Sequence, residues 1–302
     1  MTTHIAYLGT GLLGSGFVYA AAKRGEHIAV WNRTAEKARA LEPLGVRVAA
    51  TPADAVRGAS RVHLVLKDDA VVESVIATLR PGLSHDAIIL DHTTTQPALT
   101  AERARRLNDE GVRYLHCPVF IGPAAARENQ GTILVAGPQQ LFDAVKRELA
   151  HMASRVEYFG ERPDLAAVYK LCGNAFIIGL SALVSDVFTV AAGADVSPTD
   201  ALRILEFFNP SAVIAGRGKN IAAGNFAASF ELEMARKDVR LMLETAQPRP
   251  LAALPAIAAR MDDLIAQGYG AEDLAVIGKD VLNGNGGDHF AGPVSERNSA
   301  AT

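Results

Sequence analysis

The sequence predicts an α/β fold in which a doubly wound parallel sheet is followed by an all-helical second domain. Up to about Gly160, short apolar strands alternate with helical segments, which is the pattern of a parallel sheet covered by helices on both faces. A glycine-rich turn directly follows the first strand. Beyond Gly160, helical periodicity replaces strands almost entirely. We therefore place a domain boundary near Arg162-Pro163, which divides the chain into 1–163 and 164–302.

Composition restricts the classes of function. A chain of 302 residues is long enough for two domains with a core each. The net charge of −3 is spread without long runs of one sign, so nucleic acid and anionic membranes are not expected partners. Cys117 and Cys172 are far apart and predict a reducing compartment without a disulfide framework. The first strand begins almost at Met1, leaving no room for a signal peptide, and we expect a cytoplasmic protein.

One stretch, residues 175–194, is apolar and long enough to span a bilayer. Asp186 lies within it, glycine and hydroxyl residues dilute it, and Lys170 lies just upstream. These features favour a helix that is buried on most sides, between domains or subunits, over a membrane helix. We expect no membrane insertion, and this helix predicts a homodimer.

The predicted strands are short apolar runs that end at polar or glycine-containing turns. They cover residues 4–8, 28–31, 46–50, 61–66, 87–91, 112–119, 131–137 and 156–160. Helical periodicity and end signals such as Thr51-Pro52 define the helices between and after them. The first predicted helix runs from the glycine turn to residue 25, and two others are predicted by their starts alone, at residues 52 and 274. The remaining predicted helices cover residues 35–42, 69–79, 97–108, 140–152, 164–192, 198–208, 231–246 and 254–267. We expect Asn209-Pro210 to break the helix predicted over 198–208, and residues after Asn283 are glycine-rich, polar and without periodicity.

The turn after the first strand has the spacing G-x-G-x-x-G, which is typical of dinucleotide binding between a strand and a helix. Its residues are Gly9, Thr10, Gly11, Leu12, Leu13 and Gly14. Gly9 allows the tight turn, Gly11 lets a pyrophosphate approach the backbone, and Gly14 lets the helix pack closely on the strand. The phosphates would then lie on the free N–H groups at the helix start. A glycine turn alone is weak evidence, but the readable strand and helix around it strengthen the prediction.

The second strand ends in Asn32, Arg33 and Thr34, about 20 residues beyond the glycines, where this fold contacts the adenosine ribose. An NAD-specific site usually has Asp or Glu there, whereas Asn32 places no carboxylate against a 2′-phosphate. Arg33 could pair with that phosphate through a charge-assisted fork. The sequence therefore predicts NADP(H), although a solvated loop arginine is the alternative interpretation.

Three further motifs follow in order: D-H-T-T-T-Q-P at 91–97, K-L-C-G-N at 170–174 and K-D at 237–238. With the glycine turn, they resemble the motifs of the β-hydroxyacid dehydrogenase family, which includes 3-hydroxyisobutyrate dehydrogenase and tartronate semialdehyde reductase. The family is more distantly related to 6-phosphogluconate dehydrogenase and the imine reductases. The resemblance covers nearly the whole chain, and it implies a Rossmann-type NADP-binding domain followed by a helical substrate and dimerisation domain.

This resemblance implies roles for individual residues. Lys170 matches the family's catalytic lysine, and Asn174 lies one helical turn further on the same face. Thr94 matches a residue that touches the nicotinamide ribose or the substrate, and Lys237 a second lysine near the cofactor. Leu66 and its neighbour match residues that contact the cofactor through the backbone. The neighbour here is Lys67 instead of the usual proline, which makes that contact less certain.

Three of these residues also have plainer interpretations. Thr94 could cap the next helix, and Lys237 could form a surface ion pair with Asp238. By pattern alone Lys170 is more typical of a helix surface, because lysine is rarely buried. A partly buried lysine nevertheless suits carbonyl reduction, since it stabilises negative charge growing on oxygen and can donate a proton at a lowered pKa.

The predicted substrate loop departs from the family pattern D-x-P-V-S-G-G. This chain has Phe120 and Ile121 in place of the serine and first glycine that hold a substrate carboxylate, followed by Gly122. The loop therefore predicts a substrate that depends less on a carboxylate. His92, His116 and Cys117 lack metal-ligand spacing, so no metal site is predicted.

Three functions remain open at this point. The favoured one is NADPH-dependent hydride transfer to or from a small carbonyl or hydroxy compound, with Lys170 as general acid and base. The second is imine reduction, although imine reductases usually lack the family lysine. The third is a non-catalytic NADPH-binding sensor, against which the retention of Lys170 and Asn174 argues.

Overall fold

The computed structural model describes residues 4–283, and the glycine-rich segment after Asn283 lies outside the described residues. The chain separates into two compact units, Met1–Ala175 and Phe176–Thr302. The division falls inside a single long helix, α8 (Leu165–Gly193), which begins just after the boundary predicted at residue 163.

The first unit is built on a six-stranded parallel sheet in the order β3-β2-β1-β4-β5-β6. This is the strand order of a doubly wound Rossmann-type sheet. Its strands are β1 (His4–Leu8), β2 (Ile28–Trp31), β3 (Arg47–Val48), β4 (Ala59–Leu64), β5 (Ile88–Asp91) and β6 (Arg113–His116). Because all six strands are parallel, the loops that follow β1, β4, β5 and β6 leave from one edge of the sheet.

Helices cover both faces of this sheet, and an apolar core lies on each face. They are α1 (Leu12–Lys23), α2 (Ala35–Arg39), α3 (Pro52–Val56), α4 (Asp69–Leu79), α5 (Pro97–Asp109), α6 (Pro123–Arg127) and α7 (Gln139–Ala150). Local signals fix several of their ends. Thr51 caps α3 by accepting a hydrogen bond from the Asp54 N–H at 3.1 Å, as its position before Pro52 predicts. Thr34 is the N-cap residue of α2 but makes no capping hydrogen bond through its side chain.

The prediction of one strand over residues 112–119 is wrong. Pro118 interrupts the run, and the chain leaves the large sheet after β6. It enters a second, three-stranded sheet formed by β7 (Val119–Phe120), β8 (Thr132–Val135) and β9 (Arg155–Tyr158). The expected Gly/Pro loop after β7 contains the short helix α6, with Pro123 in its first turn.

The second unit is helical, as predicted, but two of its elements differ from expectation. The preceding helical segment ends before Asn209-Pro210, as predicted. The same pair also starts a helix that was not predicted, because the Asn209 side chain caps it by accepting from the Ser211 N–H at 3.0 Å. The predicted helix 198–208 is a short α-helix that continues as a 3-10 helix, and the last element is also a 3-10 helix. Beside α8, the helices are α9 (Pro198–Ala201), α10 (Pro210–Ala223), α11 (Leu232–Ala246) and α12 (Leu254–Ala266).

The helix α8 is long and apolar enough to cross a membrane, with a mean hydropathy of 2.0 in its most apolar window. Length and composition alone are weak evidence of insertion, because an apolar helix that packs against another protein surface has the same properties. Only 6% of that window of α8 is buried within the single chain, and the burial expected between domains or subunits stays a prediction. Its exposed apolar side chains include Phe176, Ile177, Ile178, Leu180, Leu183, Val184 and Val187.

Candidate active site and cofactor cleft

The glycine turn after β1 has three positions with different steric demands. Gly9 has φ +100°, and a Cβ there would lie 2.1 Å from the Val65 carbonyl oxygen. A Cβ on Gly14 would lie 1.9 Å from the Gly9 carbonyl oxygen, so α1 packs against the turn. Gly11 faces open space, with no heavy atom within 4 Å of its would-be Cβ. The turn therefore has the geometry in which a phosphate can approach bare backbone at Gly11.

The start of α1 offers hydrogen-bond donors to such a phosphate. Gly11 is the N-cap and provides no side-chain acceptor, so the N–H groups of Leu12, Leu13 and Gly14 lack intrahelical partners. The Leu12 side chain is exposed, whereas that of Leu13 packs against the core. Thr10 is buried, and its hydroxyl has no hydrogen-bond partner among residues 4–283. Free donors and a helix dipole together suit an anion.

Asn32 joins the glycine turn to the end of β2. Its Oδ1 accepts from the Thr10 N–H at 2.9 Å, and its Nδ2 donates to the Thr34 carbonyl oxygen at 2.9 Å. Both ends of the amide therefore stabilise the cleft itself. An aspartate here could accept from Thr10 but could not donate to Thr34, so the asparagine keeps the turn ordered without adding negative charge.

A cavity of about 630 Å³ lies over this turn. Among its lining residues are Gly9, Gly11, Trp31, Asn32, Arg33, Thr34, Lys37, Val65, Leu66, Lys67, Ala70 and Val71. The structure thus brings together seven of the predicted cofactor residues, Gly9, Gly11, Asn32, Arg33, Thr34, Leu66 and Lys67. The volume and the combination of apolar wall, bare backbone and cations fit a dinucleotide.

Sequence reasoning missed Lys37 as a second cation of this cleft. It lies four positions after Arg33 on α2, and the side chains of both residues are largely exposed. The spacing of one helical turn from Arg33 was the signal that could have found it. Lys67 also lines the cleft, and its ammonium lies 3.7 Å from the carboxylate of its neighbour Asp68.

At the end of β5 the structure distinguishes three consecutive threonines. The Thr93 hydroxyl accepts from the Leu66 N–H at 3.1 Å and so ties the ends of β5 and β4 together. Thr95 bonds the Thr100 hydroxyl at 2.7 Å inside the protein. Thr94 is partly exposed, unlike its two buried neighbours, and Gln96 is the N-cap of α5. Thr94 is therefore the one of the three with a side chain available to a ligand.

The predicted substrate loop is held in place by β7. Phe120 pairs with Thr132 of β8, and a Cβ on Gly131 would lie 2.7 Å from the Phe120 carbonyl oxygen. The half-buried Ile121 side chain packs against the large core, and the exposed Gly122 is the N-cap of α6. The Phe120 ring packs on a small cluster formed by Leu134, Ala136 and Ala166.

Lys170 and Asn174 lie one turn apart on α8, both partly buried, in the part of this helix that belongs to the first unit. The Lys170 Nζ lies 4.2 Å from the centroid of the Phe120 ring. Burial lowers the pKa of Lys170 below its ordinary value, and no charged group offsets this effect. Phe120 belongs to the segment that leaves the end of β6, and the cofactor loops leave the large sheet at the same edge as this segment.

Lys237 lies on α11 in the second unit, and its ammonium is 2.9 Å from the Asp238 carboxylate. This is the surface ion pair with Asp238 that the sequence allowed as the alternative interpretation of Lys237. Its contact with the cofactor stays a prediction. No cluster of metal-ligating side chains occurs among residues 4–283.

Residues 4–160 match the family described as the NAD binding domain of 6-phosphogluconate dehydrogenase. The chain belongs to this family. Its first unit is therefore an NAD(P)-binding domain of the kind found in 6-phosphogluconate dehydrogenase. This confirms the predicted cofactor class and the resemblance to the β-hydroxyacid dehydrogenases.

Curated relatives include proteins with quite different names. The chain is 28% identical over 261 residues to the cytokine-like nuclear factor N-PAC of Xenopus tropicalis, covering 82% of this chain and 48% of that protein. It is 26% identical over 262 residues to an uncharacterized oxidoreductase of Shewanella frigidimarina, covering 83% of this chain and 89% of that protein. The chain thus spans about half the length of the N-PAC proteins that it matches.

Solved structures confirm the fold. An imine reductase from Myxococcus stipitatus in complex with NADP+ superposes with a TM-score of 0.81 at 18% identity, covering 91% of this chain and 98% of that one. A reductive aminase from Aspergillus terreus in complex with NADPH4, cyclohexanone and allyl amine gives a TM-score of 0.80 at 23% identity, covering 92% and 98%. At these identities the comparison shows the α/β architecture with a helical C-terminal region and leaves the substrate open.

Proposed function

We propose that this protein is an NADPH-dependent reductase of small carbonyl compounds, with Lys170 as the proton donor. The observation that carries the proposal is the environment of Lys170. It is a partly buried lysine whose pKa burial lowers, and it lies over Phe120 without an acidic partner among the described residues. A structural lysine would instead be expected to pair with a carboxylate or to extend into solvent.

Bound NADPH would supply a hydride from the nicotinamide to the carbonyl carbon. Negative charge then develops on the carbonyl oxygen, and the Lys170 ammonium stabilises this charge and transfers one proton to the oxygen. The product is an alcohol, and the neutral amine of Lys170 takes a proton from solvent to restore the ammonium. In the oxidative direction the neutral amine removes the hydroxyl proton instead, and a lowered pKa increases the fraction of lysine in that form.

Asn174 and Thr94 are proposed to hold the substrate and the nicotinamide ribose. Asn174 lies on the same helical face as Lys170, and its amide can both donate and accept hydrogen bonds. Thr94 is partly exposed at the end of β5, while its two threonine neighbours are occupied internally. These two side chains can orient a polar oxygen without bringing a competing charge to Lys170.

The cleft supports NADPH over NADH. Arg33 and Lys37 line the cavity just after β2, where the adenosine ribose of a dinucleotide would lie, and we call this part of the cleft the ribose corner. None of the described residues that line the cavity is acidic. Asn32 keeps the turn ordered through both ends of its amide. A 2′-phosphate would meet two cations and no carboxylate, which favours the phosphorylated cofactor.

The substrate is proposed to be apolar next to its carbonyl group. A carboxylate that leaves water needs hydrogen bonds or a cation in return. The Phe120 side chain has no donor, and Ile121 packs its side chain against the core. An aromatic or aliphatic group would bury favourably against the Phe120 ring.

NADPH oxidation across a panel of aldehydes, ketones and cyclic imines tests this function. The expected result is turnover of apolar aldehydes or ketones that is lost in Lys170→Met, a change that keeps most of the side-chain volume. Imine reduction that survives in Lys170→Met would favour the second candidate, which rests on the imine reductase and reductive aminase structures that share this fold.

A third outcome is NADPH binding by calorimetry without turnover of any compound in the panel. It would favour a non-catalytic sensor, the candidate that the N-PAC relatives support because their name is that of a nuclear factor. The partly buried Lys170 argues against this candidate. Burying a cation without a carboxylate partner costs folding free energy, and a catalytic role would explain why such a lysine is present. The cytoplasmic location stays a prediction.

We further propose that the protein is a homodimer that uses α8. Its exposed apolar side chains are spread over the middle of the helix, from Phe176 to Val187, and they include Ile177, Ile178 and Val184. Contiguous apolar surface of this kind is rare on soluble monomers and marks an interaction surface. A second copy of the chain presents the same surface and can cover it in a two-fold arrangement.

A further inference from the structure

We infer that Phe120 is a positioning residue that holds the Lys170 ammonium over the face of its ring and keeps the lysine charged. This inference rests on the proposed function only for its kinetic consequence, because the contact itself belongs to the free protein. Nothing in the motifs of the sequence connects the two residues, which belong to β7 and α8.

The first step is the position of the charge. The Lys170 Nζ lies 4.2 Å from the ring centroid, well within the range in which the negative face of an aromatic ring attracts a cation. Burial lowers the pKa of Lys170 and no charged group opposes that effect, so the ring face is the contact that favours the ammonium form. The two influences act in opposite directions on the same proton.

The second step is the rigidity of the ring. The Phe120 backbone is fixed by pairing with Thr132, and its ring packs against the cluster that includes Ala166, one turn before Lys170 on α8. The ring also fills the space that a side chain at Gly173 would need, since a Cβ there would lie 2.2 Å from the Phe120 Cζ. Gly173 and Phe120 are therefore complementary, and the ring cannot turn away from the lysine without leaving this site.

The third step is the consequence for catalysis. A carboxylate partner would also keep Lys170 charged, but it would compete with the substrate oxygen for the proton. An aromatic face stabilises the charge without accepting a proton, so the ammonium can still donate to a carbonyl oxygen. Phe120 thus fixes where the proton donor is located and the pH range in which it is charged.

The test measures the pKa of Lys170 directly. The neutral amine alone reacts with acetic anhydride, so the extent of labelling against pH, read by mass spectrometry of the Lys170 peptide, gives the pKa without any turnover. Phe120 is replaced by pentafluorophenylalanine, which keeps a ring of nearly the same shape but loses the negative face. We expect the pKa of Lys170 to fall by about 0.5 to 1. Exposed Lys146, which pairs with Asp143, is the internal reference, and the fluorinated ring should not change its extent of labelling.

The direction of the change separates the inference from a purely steric role. If the ring only shielded Lys170 from water, the fluorinated ring would leave the pKa where it is, and Phe120→Ser would raise it towards the ordinary value. An unchanged or raised pKa with the fluorinated ring overturns the inference. Phe142→Leu is the matched control, because it removes another ring of this unit, one that stacks on Tyr158 with centroids 4.5 Å apart.

Two glycines of α8 provide an independent pair of variants. Gly173→Ala must displace the Phe120 ring, so we expect it to lower the pKa of Lys170 as the fluorinated ring does. Gly179→Ala places its Cβ in open space and should leave that pKa unchanged. Equal labelling curves for Gly173→Ala and the wild type would contradict the inference.

The kinetic readout distinguishes this inference from the proposed function. If Lys170 is the proton donor, the basic limb of the pH profile of kcat/KM for carbonyl reduction moves down by the same amount as the labelling pKa. A labelling pKa that falls while the basic limb stays in place would support the ring contact and refute the role of Lys170. A basic limb that moves without any change in labelling would refute the ring contact.

Discussion

At the scale of single residues, the proposed preference for NADPH depends on Arg33. Its guanidinium lines the cleft together with Lys37, and no acidic residue lines the same cavity. A fork of N–H donors next to the ribose recognises a phosphate in a way that a hydroxyl cannot reproduce. The free energy of this recognition depends on the charge of the phosphate, so it should decrease with added salt.

We predict that Arg33→Ala weakens NADPH binding by about 1.5–3 kcal/mol and leaves NADH binding almost unchanged. Calorimetric titration with both cofactors gives the two dissociation constants. Arg39→Ala is the matched control, because Arg39 also lies on α2 but pairs with Glu36 at the surface, 3.8 Å away. Wild-type protein that binds NADH as tightly as NADPH would show that the corner does not select the phosphate.

Lys170→Ala should remove turnover while leaving cofactor binding nearly intact. The lost proton transfer and charge stabilisation correspond to a decrease in kcat of roughly 10²- to 10⁴-fold. The glycine turn and the ribose corner do not involve Lys170, so the NADPH dissociation constant should change little. Lys146→Ala, at an exposed lysine paired with Asp143, serves as the control. Near-wild-type kcat in Lys170→Ala on a good substrate would exclude the proposed role.

At the scale of single elements, the sequence predicted best those features that short-range signals determine. The turn around Gly9 and the cap at Thr51 depend on residues a few positions apart, and the structure has both. Asn209-Pro210 was ambiguous, because the same pair can end one helix or begin the next. The cap that Asn209 provides decides for a new helix, α10.

Contacts between distant parts of the chain could not be predicted from the sequence. In the sequence, Phe120 is a substitution in the predicted substrate loop and Gly173 is one residue of the K-L-C-G-N motif. Only the fold shows that the ring occupies the space beside the glycine. The separate sheet of β7, β8 and β9 was missed for a related reason, because pairing partners of a strand are set by the whole topology.

The residues of the predicted substrate loop lead to a prediction about substrate preference. We expect kcat/KM for an apolar aldehyde such as phenylacetaldehyde to exceed that for succinic or tartronate semialdehyde, because Phe120 and Ile121 supply no side-chain donor to a carboxylate. The double variant Phe120→Ser, Ile121→Gly should shift the ratio towards the acids. A preference of the wild type for either semialdehyde by about tenfold, roughly 1.4 kcal/mol in transition-state binding, would contradict the prediction.

For the whole molecule, buried histidines in the first unit predict sensitivity to acid. The His92 Nδ1 lies 2.7 Å from the Cys117 carbonyl oxygen, which can only accept, so Nδ1 carries the proton. Its Nε2 then accepts from the His63 Nδ1 at 2.9 Å. Protonation of His92 at Nε2 would place two N–H groups against each other until the His63 proton moved to its own Nε2. Burial lowers the pKa of His92 to about 4, and burial together with the charges of His92, Arg61 and Arg24 lowers that of His63.

A histidine that is kept neutral in the folded state binds fewer protons than in the unfolded chain. Its contribution to stability is complete above the unfolded pKa of 6.5 and is lost as the pH falls towards about 4. For His92 alone this amounts to about 3 kcal/mol. The free energy of unfolding, measured with urea, should therefore decrease from pH 7.5 to pH 5. We expect this dependence on pH to be weaker in His92→Gln. It should be unchanged in His85→Gln, which replaces an exposed histidine. An equal dependence on pH in all three proteins would show that His92 is not responsible.

At the scale of the whole molecule, the proposed homodimer can be tested at α8. Ile178 is 69% exposed in the single chain, within the apolar surface of the helix. A glutamate there would have to be buried without a partner if two copies meet on this face, which costs several kcal/mol. We expect the wild type to sediment as a dimer and Ile178→Glu as a monomer. Val281→Glu, at a similarly exposed apolar residue outside α8, should remain dimeric. A wild-type protein that stays monomeric at micromolar concentrations, or a dimer that Ile178→Glu leaves intact, would show that this helix face has another partner.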